Sequence, residues 1–86
     1  MPEISRFFGI VIRMYQGDHA PPHFHAEYGD EEAAVELCGL RLFQGKLRPR
    51  IRRRVLEWAR LHRAELLANW ELLQRGQEPR PIPPLE

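Results

Sequence analysis

A stretch of about 26 residues without a helix breaker, from Pro49 to just before Gly76, constrains the fold most strongly. Proline suits the first turn of a helix, where its missing N–H costs nothing, and glycine is a natural C-terminal cap. At about 100° per residue, seven apolar side chains fall within about 120° of arc. They are Ile51, Val55, Trp58, Ala59, Leu66, Trp70 and Leu73. The pattern predicts one long C-terminal helix, roughly 39 Å long at 1.5 Å per residue.

Further leucines lie outside that stripe, as Leu56 with Leu67 and Leu61 with Leu72. A helix that is apolar on several sides usually packs against a sheet and against something else besides. A second subunit is the simplest candidate, so we consider a homodimer.

The residues before the helix alternate between apolar and polar side chains, as strands do. Turn signals containing glycine separate predicted strands at residues 7–15, 23–28, 33–37 and 40–43. We therefore predict an α+β domain over residues 1–76, a three- to four-stranded antiparallel meander with the long helix packed on it. Residues 77–86 hold four prolines and are predicted to form an extended tail. This tail either lies over the domain through Ile82 and Leu85 or is a ligand for a proline-binding module.

Length and composition favour a small cytoplasmic protein. The chain has 86 residues, enough for one domain. The N-terminus lacks the basic-then-apolar shape of a signal peptide, and no apolar run approaches the roughly 20 residues that span a bilayer. The single cysteine, Cys38, excludes an internal disulfide, which suits a reducing compartment.

Three of the four histidines fall in the segment 18–28, where two prolines stiffen the entry to the second strand. His23 and His25 occupy alternate positions and share one face of that strand, with His19 on the loop before it. His62 lies in the middle of the apolar stripe of the helix, so we expect it to point toward the sheet. These four histidines could gather in one place.

Three interpretations of the histidines stay open. His23 and His25, with His19, His62 or a carboxylate, could bind a divalent transition metal such as zinc. Alternatively, His23 and His25 could be catalytic, one as general base and one as acid, acting on a phosphodiester. In the third interpretation the histidines form a hydrogen-bonded polar seam that fixes the loop. His-x-His spacing alone does not decide between them.

A basic cluster surrounds the predicted start of the helix, and we define it as Lys46, Arg48, Arg50, Arg52, Arg53 and Arg54. The positive end of the helix dipole disfavours cations there, whereas it favours a bound anion. The cluster could contact phosphate, RNA or an acidic partner. It could also be a solvated face paired with the acidic hairpin residues near Asp30. Any nucleic-acid binding should be salt-sensitive and weakly sequence-specific, since no base-reading motif is visible.

Several segments together resemble the bacterial family called domain of unknown function 4160. They are the opening Ile4–Ile10, the segment Pro21–Tyr28 with its Pro-Pro-His-Phe-His-Ala motif, the step Gly45–Leu47, and the pair Trp58 and Trp70. The resemblance implies a small α+β protein, often encoded beside a second small protein in what have been suggested to be toxin–antitoxin modules. It implies no established activity and no catalytic residues.

The resulting expectation is a component of a toxin–antitoxin-like pair whose site centres on the histidines, either a ribonuclease or a module without chemistry. The arginines of the basic cluster exceed what the resemblance leads us to expect. A nucleic-acid role inferred from them therefore need not extend to the family.

Overall fold

A computed structural model of the chain describes residues 2–86 and contains a five-stranded sheet followed by two helices. The strands are β1 (Glu3–Phe7), β2 (Ile10–Arg13), β3 (His23–Tyr28), β4 (Glu31–Glu36) and β5 (Arg41–Lys46). The helices are α1 (Pro49–Leu61) and α2 (Arg63–Gln74). Each strand pairs antiparallel with the next, in the order β1-β2-β3-β4-β5. The predicted α+β class and antiparallel meander are confirmed.

The predicted count of three to four strands is wrong, because the segment read as the first strand turns back on itself. Phe8 and Gly9 have φ of 51° and 79° and connect β1 to β2. Two successive positive φ values are typical of the tight hairpin turn whose twist matches that of its strands. Phe8 makes this turn difficult to predict from the sequence, since bulky residues rarely adopt positive φ.

The last strand is also longer than predicted, because Gly45 does not end it. Gly45 has φ of 71° and lies opposite Ala33, beyond an irregularity in register between Ala34 and Val35. A Cβ atom on Gly45 would lie 2.1 Å from the carbonyl oxygen of Glu32. The glycine therefore permits a close approach of two backbones within the sheet.

The predicted single helix is two helices that meet at His62, where φ is −117° instead of the usual −63° or so. The Trp58 carbonyl accepts a hydrogen bond from the His62 N–H, and the His62 carbonyl accepts one from the Leu66 N–H. Backbone hydrogen bonds therefore continue across the junction. The side chain of Arg63, the first residue of α2, donates to the Cys38 carbonyl in the β4–β5 turn. The helical boundaries at Pro49 and before Gly76 agree with the sequence.

One continuous core joins the sheet to both helices and to the C-terminal tail. Trp58 is fully buried, with its ring centroid 5.3 Å from that of Phe7 and 5.8 Å from that of Phe24. Ile82 of the tail is also buried, and its N–H donates to the Ile4 carbonyl at 2.8 Å. The tail therefore runs beside the outer edge of β1.

A buried amide holds the tail in place. Asn69 Nδ2 donates to the Arg80 carbonyl at 2.9 Å, and the Arg80 N–H donates to Asn69 Oδ1 at 2.8 Å. Asn69 faces the core without an unpaired polar atom, because the tail backbone satisfies both ends of its amide.

Within residues 2–86, no helix combines the length and the apolar character needed to cross a membrane.

Two glycines with nearly equal φ provide a matched stability test. Gly17 has φ of 77° and open space where a Cβ would lie, whereas Gly45 has φ of 71° and a carbonyl oxygen in that space. We expect Gly17→Ala to cost about 1 kcal/mol of unfolding free energy from backbone strain alone. Gly45→Ala should cost at least about 2 kcal/mol more, because the sheet must open to admit the methyl group. Urea unfolding of both variants checks this, and equal losses would show that the close approach is relaxed in solution.

Candidate functional site

The loop between β2 and β3 brings a carboxylate to the two strand histidines. Asp18 lies on this loop, and His23 and His25 lie on β3. The end of the loop is fixed by a hydrogen bond from the Leu37 N–H to the Pro22 carbonyl, 2.9 Å long. One ligand atom from each of Asp18, His23 and His25 lies within 4.8 Å of the other two. We call these three residues the Asp-His-His site.

A single carboxylate oxygen lies between the two imidazoles. Asp18 Oδ2 is 3.0 Å from His23 Nε2 and 3.1 Å from His25 Nε2. His23 Nδ1 is 2.7 Å from the Pro21 carbonyl oxygen. Since a carbonyl oxygen only accepts, Nδ1 must carry the hydrogen, which leaves the Nε2 lone pair of a neutral His23 facing Asp18. Two lone pairs repel at that distance, so this position calls for a cation, either a proton or a metal ion.

Aromatic side chains surround the imidazoles and limit their contact with water. The ring of His23 is 5.3 Å from both Phe43 and Trp70, and only 6% of the residue is exposed. Tyr15 lies edge-on to His25 at 4.8 Å. Burial, with a further contribution from the Glu27 carboxylate, raises the pKa of the Tyr15 phenol. Tyr15 is therefore a neutral hydrogen-bonding group at physiological pH and not an anionic ligand.

Two members of the site are partly exposed to solvent. The side chains of His25 and Asp18 are 17% and 25% exposed. A surface hollow of about 250 Å³ adjoins His25 and is lined also by Glu32, Gln44 and Gly45. Glu32 Oε2 is 4.0 Å from His25 Nδ1, on the side of the ring away from Asp18. A small ligand can therefore approach His25 without rearrangement of the core.

The structure brings together only two of the four histidines that the sequence nominated. His62 Nδ1 pairs with Glu65 of α2, and its ring lies 5.7 Å from that of Trp58. His19 is exposed and does not join the Asp-His-His site. Helix α2 approaches His23 through Trp70, so an aromatic ring takes the place that the sequence assigned to a helix histidine.

Asp18 is the site residue that the sequence reasoning did not single out. Strand periodicity predicts which residues of one strand share a face. Asp18 lies on a loop, where no such periodicity applies. The available signal was its position, five residues before a His-x-His pair and separated from it by a stiff diproline.

The basic cluster lies at the other end of β3 and is partly neutralised. Arg48 pairs with Glu31 at 3.2 Å, and its guanidinium lies 5.1 Å from the centre of the Tyr28 ring. The Arg54 guanidinium lies 4.3 Å from the centre of the Phe8 ring. The other members, Lys46, Arg50, Arg52 and Arg53, are exposed. Five residue steps along β3 separate His23 from Tyr28, about 17 Å, so the predicted clusters do not form one site.

The family model described as "Domain of unknown function (DUF4160)" matches residues 9–71, well over half of the chain. The chain belongs to this family. The part of this DUF4160 protein that matches includes the Asp-His-His site and all of the basic cluster, whereas Phe8 and the tail lie outside it. Neither the curated proteins nor the solved structures contain a match to the chain. The family description assigns no activity, so function must be argued from the site itself.

The pair between Glu31 and Arg48 predicts a pH dependence of stability. Hydrogen bonds from the Arg48 backbone N–H and then from its guanidinium hold the pKa of Glu31 below its ordinary value. A lowered pKa in the folded state contributes stability above the unfolded value of about 4.3, and that contribution disappears as the pH falls through the folded value. We therefore expect Glu31→Gln to be less stable than wild type at pH 7 and equally stable once Glu31 is protonated. Thermal unfolding as a function of pH measures the difference.

The neighbouring exposed carboxylate supplies the control for that experiment. Asp30→Asn removes the same charge from the same turn but does not remove the hydrogen bonds to Arg48. It should change the unfolding temperature less than Glu31→Gln does. Matching pH profiles for the two variants would mean that only the net charge of the turn matters.

Proposed function

We propose that this DUF4160 protein binds one divalent transition metal ion, such as Zn²⁺, through Asp18 Oδ2, His23 Nε2 and His25 Nε2. The observation that carries the proposal is the convergence of these three atoms while the other nitrogen of His23 is committed to Pro21. Two imidazole nitrogens and one carboxylate oxygen form a donor set that suits zinc and neighbouring divalent ions.

The spacing of the donor atoms supports the proposal. Metal–ligand bonds of about 2.0–2.1 Å at tetrahedral angles place ligand atoms about 3.3 Å apart. Asp18 Oδ2 is 3.0 and 3.1 Å from the two nitrogens. Ion binding would lengthen these two distances by a few tenths of an ångström, which the partly exposed Asp18 loop can supply. It would also set the distance between the two nitrogens, which lie within 4.8 Å of each other, to about 3.3 Å.

The hydrogen bond of His23 to Pro21 matches what is usual for a metal-bound histidine. Metal-bound imidazoles usually donate their other N–H to a carbonyl or a carboxylate, which fixes the tautomer and the ring orientation. His23 has such a partner in the Pro21 carbonyl. The nearby candidate for His25 Nδ1 is Glu32, whose carboxylate is 4.0 Å away and would need to approach.

Three protein ligands would leave at least one coordination position for water or a substrate, as in catalytic zinc sites. A metal ion there could polarise a water molecule or a phosphate oxygen. The exposed sides of Asp18 and His25 support access to that position. This arrangement makes hydrolytic chemistry possible, although metal binding by itself does not require it.

Metal-free acid–base catalysis receives less support from the same geometry. His23 has both ring nitrogens engaged, Nδ1 with Pro21 and Nε2 with Asp18. Of the four ring nitrogens of His23 and His25, only His25 Nδ1 has no partner closer than 4.0 Å among residues 2–86, so one histidine would have to act without the second. The polar-seam interpretation requires a proton in place of the metal between His23 and Asp18, and the experiment below distinguishes these cases.

Membership of a cytoplasmic toxin–antitoxin-like pair is a separate proposal, which rests on the family resemblance. Its support in this chain is limited to surfaces that a partner or a second copy could cover, including the exposed Leu61 and Leu67. Cys38 is an exposed free thiol, which suits a reducing compartment. Copurification of the untagged protein with the product of an adjacent gene would test this pairing.

Binding of Co²⁺ and Zn²⁺ to the untagged protein tests the metal proposal. We expect one ion per chain, with the Co²⁺ absorption of a site that contains nitrogen ligands. Asp18→Asn and His25→Gln should each weaken binding at least tenfold, because each removes one of three ligands. Titration calorimetry gives affinity and stoichiometry, and competition with a chelating dye confirms them.

The histidines outside the site provide matched controls. His19→Gln and His62→Gln remove an imidazole elsewhere and should leave the affinity unchanged. If all four variants weaken binding equally, the metal associates with scattered surface histidines and the Asp-His-His site is not a metal site. Wild-type affinity in Asp18→Asn would also rule out the proposed ligand set.

Metal should also stabilise the fold by mass action. At a free ion concentration 100 times the Kd, a ligand that binds only the folded chain adds about 2.7 kcal/mol to the free energy of unfolding. We expect this gain in urea unfolding of the wild type and a much smaller gain in Asp18→Asn. A gain of the same size in both proteins would place the bound ion elsewhere.

A further inference from the structure

We propose that the end of the molecule opposite the Asp-His-His site binds single-stranded nucleic acid. The surface consists of two arginine–aromatic stacks, Phe8 with Arg54 and Tyr28 with Arg48, together with neighbouring exposed arginines of α1. It joins the β1–β2 turn, the end of β3 and the start of α1.

The conformation and exposure of Phe8 are the first evidence for a binding role of this surface. It is 52% exposed, so its ring is not part of the buried core. Its φ of 51° is a conformation that glycine and asparagine adopt much more easily than a bulky residue does. A large aromatic side chain in an exposed and strained turn position is poorly explained by folding alone. Its position is better explained by a role for the ring at the surface.

Both stacks lie at the end of the sheet where the β1–β2 turn meets the end of β3. Arg54 covers Phe8 at 4.3 Å, and Arg48 lies over Tyr28 at 5.1 Å. Gly9, directly after Phe8, contacts the Tyr28 ring so closely that an added Cβ would lie 3.4 Å from it. The turn that carries Phe8 therefore lies against the Tyr28 ring. The result is two flat pairs at one end of the sheet, each formed by a ring and a guanidinium.

The charges around the two stacks favour a polyanion. Arg50 precedes Arg54 by one helical turn, and Arg53 is its neighbour; both are exposed. The first turn of α1 contains no acidic residue. Glu31 engages Arg48, whereas no ion pair of Arg50, Arg53 or Arg54 is seen among residues 2–86. Backbone phosphates could pair with these arginines without displacing an internal partner.

Flat groups beside cations fit single-stranded nucleic acid better than an acidic protein segment. Unpaired bases stack on aromatic rings and on guanidinium planes, and the phosphates contact nearby arginines. An acidic protein segment could pair its carboxylates with the arginines, but it has no flat groups to stack on the aromatic rings. RNA and single-stranded DNA share the required chemistry, so both belong in the test.

Fluorescence anisotropy with labelled unstructured oligonucleotides, one RNA and one DNA, tests the proposal. We expect Phe8→Asn and Arg54→Gln each to weaken binding at least about fivefold, the lower end of what a base–aromatic stack contributes. Asparagine tolerates positive φ, so Phe8→Asn should leave the unfolding midpoint unchanged or higher. Arg54→Gln should also reduce the slope of log K against log salt by about 0.7, whereas Phe8→Asn should not.

Arg41→Gln is the charge-matched control, since Arg41 is exposed at the far end of β5. If Arg41→Gln weakens oligonucleotide binding as much as Arg54→Gln does, the interaction is nonspecific charge attraction and the proposal is overturned. Wild-type affinity in Phe8→Asn would also overturn it. Binding to polyglutamate but to neither oligonucleotide would assign the surface to an acidic protein instead. Asp18→Asn should bind oligonucleotide as the wild type does, so this proposal and the metal proposal can fail independently.

Discussion

The buried indole of Trp58 is the contact on which the other elements of the fold depend. Its ring packs on Phe7 of β1 and Phe24 of β3, and its Nε1–H donates to the Pro83 carbonyl at 2.8 Å. One side chain of α1 therefore fixes the helix on the sheet and the tail on both. Replacing a buried tryptophan by alanine typically costs about 3–5 kcal/mol, a large part of the stability of a small domain. Because Phe24 must face Trp58, the alternation of β3 gives His23 and His25 the other set of positions.

The length of β3 also explains how so short a chain separates the two proposed binding surfaces. The first residues of β3 carry the histidines, next to the loop that supplies Asp18. The last residue, Tyr28, lies beside Gly9 and under Arg48. In an antiparallel meander, turns alternate between the two ends of the sheet, so the β1–β2 and β3–β4 turns lie together and the β2–β3 loop lies opposite. The start of α1 adds its arginines to the first end because β5 ends there.

The parts of the fold that follow local rules could be predicted from the sequence. Pro49 begins α1, Gly76 follows α2 with positive φ, and β3 alternates as expected. The parts that failed depend on tertiary contacts. The β1–β2 turn has Phe8 in its first position, where glycine or asparagine would be expected. The Arg54 guanidinium packs over the Phe8 ring, a tertiary contact that the local sequence does not reveal. The break at His62 lacks a proline or glycine, and the histidine there finds partners in Glu65 and Trp58 instead of in the strand histidines. Asp18 joins the site through the path of a loop, which periodicity does not describe.

The hydrogen bond from His23 to Pro21 decides what the Asp-His-His site can be. If His23 could turn its protonated nitrogen toward Asp18, a neutral seam of ordinary hydrogen bonds would explain the cluster completely. The Pro21 carbonyl prevents this, since it accepts the only hydrogen of the neutral ring. The almost fully buried His23 must then share a proton or a metal ion with Asp18. Where the proton makes the two groups an ion pair, its burial seldom stabilises a fold more than apolar residues of similar size would. A seam built only for stability would be better served by apolar side chains, given the aromatic rings of Phe43 and Trp70 already there. Two imidazoles and a carboxylate around one partly open position are therefore the arrangement that the proposed metal ion would use.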